Sequence, residues 1–165
     1  MPDLLWDDVR NFFDPDLMGA LPDVRVPDTS VADWQAVLDL VRSRGWAYAY
    51  SEGGAPGQLP RAGDLASRGT ETGAELRVWP EPGFLVIFRM YEVEAIDFDV
   101  DLRELQGQTG VDALCRLLRA VGRRLGKPVL MAPESDSAHP VLGFDVTADR
   151  VVLLAEPWPS WAGCP

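Results

Sequence analysis

The sequence predicts an α+β protein, with an antiparallel or mixed sheet of about six strands and two main helices packed on one face. Two segments have helical hydrophobic spacing, and several short segments alternate apolar with polar residues. Their order lacks the strict alternation of strand and helix that a doubly wound parallel sheet requires. The length of 165 residues fits a single domain, 1–165.

The first elements combine helical spacing with prolines. Apolar residues among the first dozen predict a short helix that ends at Asp14-Pro15, because the residue before a proline disfavours further helix. Residues 14–30 contain three prolines and predict an extended connector over the core. A clearer helix is predicted over 31–44, since Ser30 and Asp33 match a capping box and Gly45 follows the apolar stripe.

The middle of the chain predicts strands. Aromatic residues alternate with alanine from Trp46 to Tyr50, which predicts a strand with three aromatics on one face. Residues 51–73 are rich in glycine and predict a flexible loop, with a functional lid as the alternative. The turn at 80–83 predicts a hairpin over 75–91. Residues 92–102 alternate again, with a shift of phase at Ala95-Ile96 that directs Ile96, Phe98, Val100 and Leu102 inward, with Val93 before them.

The last part of the chain holds the strongest helical pattern, over 109–125. Thr109 and Asp112 match a capping box, and Gly126 with Pro128 ends the helix. Three further strands are predicted at 129–131, 141–145 and 151–155, with a loop at 133–140. Residues 156–165 form a tail rich in proline and tryptophan.

The net charge limits the partners. Fifteen basic and 26 acidic side chains give −11, which repels phosphate backbones and anionic lipid, so we expect a basic protein partner, no nucleic acid and no membrane. Cys115 and Cys164 lack the spacing of a metal site, and no cofactor motif is present, so neither metal nor cofactor is predicted. The acidic amino end lacks the pattern of a secretory signal, and we expect a cytoplasmic protein.

Five carboxylates lie within ten residues, and we call them the acidic stripe: Glu92, Glu94, Asp97, Asp99 and Asp101. Same-phase side chains of a strand project from one face about 7 Å apart. The stripe is therefore interpreted as a solvated face, as a docking surface for a basic protein or as a divalent-cation site, and these alternatives stay open. The predicted protein-binding residues are the acidic stripe together with Glu134, Asp136, Trp158 and Trp161.

The loop at 133–140 gives an alternative site. His139 is the only histidine, and with Glu134 and Asp136 it forms the only acid–base cluster that the sequence offers. No nucleophile elbow or zinc motif accompanies it, so no catalytic residue is predicted. The alternative function is a small enzyme or ligand-binding domain with its site at this loop. Trp158 and Trp161 provide docking anchors or fold back on the sheet.

Four short strings carry a resemblance to a kind of protein: residues 19–24 (GALPDV), 33–35 (DWQ), 45–46 (GW) and 98–102 (FDVDL). With the predicted layout, they resemble small acidic α+β proteins of bacterial polymorphic-toxin systems, which neutralise secreted toxins by binding them. The resemblance implies a non-catalytic immunity-type inhibitor that occludes a basic surface of a partner toxin. The sequence neither supports nor excludes a homodimer.

Overall fold

A computed structural model describes residues 1–69 and 72–155. This part of the chain is an α+β fold with five α-helices and one antiparallel sheet. The helices are α1 (Trp6–Val9), α2 (Pro15–Met18), α3 (Val31–Ser43), α4 (Ala62–Arg68) and α5 (Gly107–Leu125). The strands are β1 (Asp23–Pro27), β2 (Ala47–Glu52), β3 (Ala55–Gly57), β4 (Ala74–Glu81), β5 (Phe84–Arg89), β6 (Ala95–Val100), β7 (Val129–Ala132), β8 (Leu142–Asp145) and β9 (Arg150–Leu153).

The sheet is larger than the sequence predicts. In the described residues it has nine strands in the order β3-β2-β4-β5-β6-β1-β7-β8-β9, instead of about six. All neighbours pair antiparallel. The expectation of two main helices is not confirmed, because five form, of which α3 and α5 are the longest. None of the helices in the described residues has the length and apolarity needed to cross a membrane.

Strand β1 is the most central of the elements that the sequence analysis missed. Residues 14–30 were expected to form an extended connector, yet Asp23–Pro27 lies between β6 and β7 near the centre of the sheet. Val24 and Val26 are buried on either side of the exposed Arg25, which is the period of a half-buried strand. Pro27 is the last residue of the strand and lies beyond its pairing with β7, which ends at Arg25.

The flexible loop predicted over 51–73 contains regular structure, because the end of β2, strand β3 and helix α4 lie in its described residues. Gly53 and Gly54, both with positive φ, make a tight turn that pairs β3 with β2. Helix α4 then packs against α3 and buries Ala62 and Leu65. The sequence shows little periodicity here because both elements are short.

The helices predicted over 31–44 and 109–125 form close to their expected positions, but only the first has its predicted capping box. The capping box of Ser30 and Asp33 is present at the start of α3. Helix α5 begins earlier than predicted, at Gly107, and Thr109 and Asp112 form no capping box. The carboxylate of Asp112 instead accepts a hydrogen bond of 2.8 Å from the side chain of Gln108. Gly126 ends α5 in the left-handed conformation, as predicted.

The helices cover one face of the sheet. Helix α5 packs across β7, β8 and β9, and α3 packs beside α5. The buried side chains of the sheet alternate with side chains of the opposite face, as in β6, where Ile96, Phe98 and Val100 point into the core. The shift of phase predicted at Ala95-Ile96 therefore gives the correct inward residues. The opposite face of the sheet carries no helix in the described part of the chain.

The amino-terminal segment packs against α5 and the far edge of the sheet. Pro15, where a helix was expected to end, is the first residue of α2, with Asp14 as its cap. The carboxylate of Asp3 accepts hydrogen bonds from the Arg119 side chain at 2.8 Å and from the Val151 N–H at 2.9 Å. Val151 belongs to β9, the outermost strand on that side.

Candidate functional site

The open face of the sheet carries a cleft of about 700 Å³. Its floor comes from strands β5, β6, β1 and β7, and its rim includes residues of the 133–140 loop. The lining side chains are charged, apolar and aromatic: Asp23, Arg25, Ile87, Arg89, Tyr91, Asp97, Asp99, Leu130, Ala132, Ser137, Ala138 and Pro140, with Phe98 beneath. The helical layer lies on the other side, so no helix of residues 1–69 and 72–155 covers this cleft.

Antiparallel pairing places the charged side chains in rows across the floor. In one row Arg89 lies opposite Asp97, and Asp97 lies opposite Arg25. In the next row Asp99 lies between Ile87 and Asp23. Directly opposed residues of neighbouring strands have Cβ atoms about 4.5–5.5 Å apart, so each row forms a line of interacting side chains.

In the first row, Arg25 neutralises Asp97 and also the nearby Glu92. Arg25 Nη1 lies 3.2 Å from Asp97 Oδ1, and its Nη2 lies 2.8 Å from Glu92 Oε1. Burial raises the pKa of Asp97 against the opposing effect of Arg25, and Glu92 adds a further upward contribution. The same two carboxylates raise the pKa of Arg25, although burial opposes this. This row therefore offers little free negative charge.

The second row has an unbalanced carboxylate. Asp99 forms an ion pair with Arg89. Asp23, directly opposite Asp99, forms no ion pair with any cation of the described residues. Burial, and then the negative charges of Asp99, Asp97 and Glu134, raise the pKa of Asp23. The site thus contains a carboxylate that its own neighbours repel.

The acidic stripe, for which the sequence left three interpretations open, is largely paired with arginines. Asp97 and Asp99 do share the open face of β6, but Glu92 and Glu94 precede the strand and Asp101 follows it. Arginines neutralise every carboxylate of the stripe except Glu94, by the pairs Arg25–Glu92, Arg25–Asp97, Arg89–Asp99 and Arg103–Asp101. The hydrogen bond from Arg103 is the main cause that lowers the pKa of Asp101, whose side chain also caps a short 3₁₀ turn.

The predicted residues of the 133–140 loop lie beside the cleft and do not line it. Glu134 donates its N–H to the carbonyl of Met18 at 2.8 Å. Asp136 and His139 contact each other at 2.7 Å, and the His139 side chain is 81% exposed. Solvent around this pair favours the interpretation as a turn contact over an acid–base site. Trp158 and Trp161 lie outside the described residues.

Four residues of the site were missed by the sequence analysis: Asp23, Arg25, Arg89 and Tyr91. The first two were missed because β1 was interpreted as a connector. The alternation in Asp23-Val24-Arg25-Val26 was the available signal, since it has the period of a strand. No local pattern in the sequence indicates that Arg25 pairs with Glu92 and Asp97, or that Arg89 pairs with Asp99 of the next strand.

Comparison with protein families, with characterised proteins and with solved structures found no match to this chain. Within residues 1–69 and 72–155, no group of three or more His, Cys, Asp or Glu side chains is arranged to hold a metal ion. The chemistry of the cleft therefore rests on its ion pairs, its unpaired carboxylate and its apolar floor.

The repulsion at Asp23 predicts a pH-dependent gain in stability on substitution. Because the folded-state pKa of Asp23 is raised, its ionised form destabilises the fold, and this penalty disappears as the pH falls through the raised value towards 3.8. We expect Asp23→Asn to raise the free energy of unfolding at pH 7 by up to about 1 kcal/mol, the range of a cross-strand pair. The gain should shrink in acid.

Urea denaturation of both proteins at several pH values measures this gain. Glu94→Gln is the control, because Glu94 is exposed and lies outside the cleft. A gain that is equal at pH 7 and pH 3.5, or a loss at pH 7, would contradict the like-charge interpretation.

Proposed function

We propose that this protein is a non-catalytic binding module that takes a basic segment of a partner protein into the cleft of its open sheet face. The observation that carries the proposal is the unpaired carboxylate of Asp23, directly opposite Asp99 in the floor of that cleft. Like charges in direct opposition destabilise a sheet, and a cation between them would remove the repulsion. The missing cation is one that a partner can supply.

The lining suits a long basic side chain. The apolar stem of a lysine or arginine would pack on Ile87 and Leu130 while its cationic end meets Asp23. Tyr91, which is 62% exposed, offers an aromatic surface in the cleft wall for the same partner. The cleft thus combines an apolar floor with one centre of uncompensated charge.

The biological role that we propose is that of an immunity-type inhibitor acting in the cytoplasm on a basic toxin. This role follows from the resemblance to acidic proteins of polymorphic-toxin systems and from the net charge of −11. Occlusion would be the mechanism, since carboxylates of the inhibitor would occupy cationic groups that the toxin needs for its substrate. Charge of this size also accelerates association, and salt reduces the effect.

The proposal is tested by placing a cation at the unpaired carboxylate. In Asp23→Lys, the new ammonium group would lie opposite Asp99 and occupy the place of the partner's cation. Asp7→Lys changes the net charge equally but lies on α1, in the helical layer. We expect Asp23→Lys to weaken partner binding about thirtyfold, as loss of a hot-spot residue does, and Asp7→Lys to change it little.

The measurement begins with capture of the partner from an extract of the source organism and its identification by mass spectrometry. Dissociation constants and association rates of the purified partner are then measured at low and high ionic strength. Equal binding by the two lysine variants would refute the cleft as the docking site. An association rate that is the same at both salt concentrations would refute the electrostatic attraction.

A small-molecule site is the second candidate, and the size of the cleft favours it. Its volume of about 700 Å³ is in the range of small-molecule pockets, and residues Ser137, Ala138 and Pro140 of the 133–140 loop form part of its wall. The same loop was the alternative site in the sequence analysis. Electron density for a bound cationic metabolite in protein purified from its native host would favour this candidate over a protein partner.

A further inference from the structure

A second cavity lies on the helical side of the sheet, away from the open cleft. It is lined by residues of α3, β2, β4 and β5, by Met90, and by residues 59–68, which we call the cover segment and which includes α4. Its volume is about 20 Å³, and its lining is almost wholly apolar: Trp34, Val37, Leu38, Tyr50, Leu59, Leu65, Ala74, Glu75, Leu76, Phe88 and Met90. Nothing in the proposed function uses this cavity.

Trp34 gives the cavity an unusual property. The residue is 3% exposed, and its indole Nε1 has no hydrogen-bond partner among the described residues. A buried donor without an acceptor costs the fold the desolvation energy of that group, and native proteins rarely leave one. The indole N–H is therefore a buried donor to which the described residues offer no acceptor.

Water suits this cavity poorly. A volume of about 20 Å³ accommodates a single water molecule, but a buried water needs two to four polar partners. The lining offers few such partners, because it is almost wholly apolar. An apolar molecule with one acceptor atom matches the lining better, since its body packs on aliphatic and aromatic side chains.

Polar contacts join the cover segment to α3 and β2. The N–H of Ala62 donates to Gln35 at 2.8 Å, Arg42 donates to the carbonyl of Leu59 at 3.3 Å, and Arg68 pairs with Glu52 at 2.6 Å. In α4, which forms most of this segment, the buried side chains are those of Ala62 and Leu65. Such a short segment with few buried apolar contacts belongs to the least stable part of a fold.

We propose that the cavity beside Trp34 is a binding site for a small apolar molecule that carries one hydrogen-bond acceptor, and that the cover segment opens to admit it. The ligand's oxygen accepts the hydrogen bond of the Trp34 indole N–H. Its apolar body displaces Leu59 and Leu65 outward, because the closed cavity is too small for an organic molecule. This site is independent of the open cleft and of its proposed partner.

Two probes of the same shape test the proposal: acetophenone, which has a carbonyl acceptor, and α-methylstyrene, in which a methylene group replaces that oxygen. Binding is followed by NMR of the indole N–H resonances, in which the Trp34 signal is identified by its loss in Trp34→Phe. We expect acetophenone to shift the Trp34 signal, and the ratio of its affinity to that of α-methylstyrene to be about fivefold higher in wild type than in Trp34→Phe, the effect of one hydrogen bond.

Two variants complete the test. Trp34→Phe should lower the ratio of the acetophenone to the α-methylstyrene affinity about fivefold, since the donor is gone. Leu65→Ala should increase the affinity for both probes and leave their ratio unchanged, because it enlarges the cavity without touching the donor. The proposal is overturned if neither wild type nor Leu65→Ala binds either probe, or if Trp34→Phe leaves the ratio of the two affinities unchanged.

Discussion

Replacement of Phe98 by Ala is expected to lower the free energy of unfolding by about 3–5 kcal/mol, as for other buried phenylalanines. Phe98 is 2% exposed in the centre of β6, and its ring centroid lies 4.7 Å from that of Phe88. Removal of the ring takes away buried apolar area and an aromatic contact, and it leaves a cavity that the nine-stranded sheet fills only in part.

Urea denaturation followed by circular dichroism measures the loss. Phe98→Leu is the matched control, since it keeps most of the apolar volume and should cost only about 1 kcal/mol. The Ala variant should also bind a partner of the open cleft more weakly, because Phe98 lies between Asp97 and Asp99 on the same strand. Equal stabilities for the Ala and Leu variants would contradict the tight packing of this ring.

Gly110→Ala is expected to destabilise the protein by about 3 kcal/mol, near the upper end of the cost of overpacking. Gly110 is buried in the first turns of α5, and a methyl group there would overlap the main chain of Leu105, with the Cα atom only 2.6 Å away. Backbone atoms cannot move aside as a flexible side chain can. The substitution would push the beginning of α5 away from the preceding turn.

Gly63→Ala is the control for this prediction. Gly63 also lies within a helix, α4, but a methyl group there meets nothing within 4 Å. The control should gain about 0.5–1 kcal/mol, the difference in helix propensity between alanine and glycine. Thermal and urea unfolding of both variants provide the comparison, and a gain in stability for both would show that the close approach at Leu105 is absent.

Features that depend on a few neighbouring residues could be predicted from the sequence. The capping box of Ser30 and Asp33 and the left-handed Gly126 lie within one turn of the helix ends that they define. The inward residues of β6 follow in the same way from the alternation of side chains. The α+β class of the fold, with an antiparallel or mixed sheet, also follows from the order of these local patterns.

Features that depend on distant partners could not be predicted in this way. Strand β1 contains only five residues and ends in Pro27, and it becomes a central strand because β6 and β7 pair with it on both sides. The candidate site also depends on the pairing of strands that are distant in the sequence. Asp97 and Asp99 were correctly placed on one face, but their arginine partners and the unpaired Asp23 come from strands whose register no short pattern encodes.

The carboxylate of Asp3 accepts a hydrogen bond from the main chain of β9, the last strand of the sheet in the described residues. Burial raises its pKa, but the N–H of Val151 and the Arg119 guanidinium outweigh that effect, and the pKa is lowered overall. An outermost strand usually presents free N–H groups to which a strand of another molecule can add. Here the N–H of Val151, one of those groups, already donates to the chain's own Asp3, so β9 offers one donor fewer to an added strand.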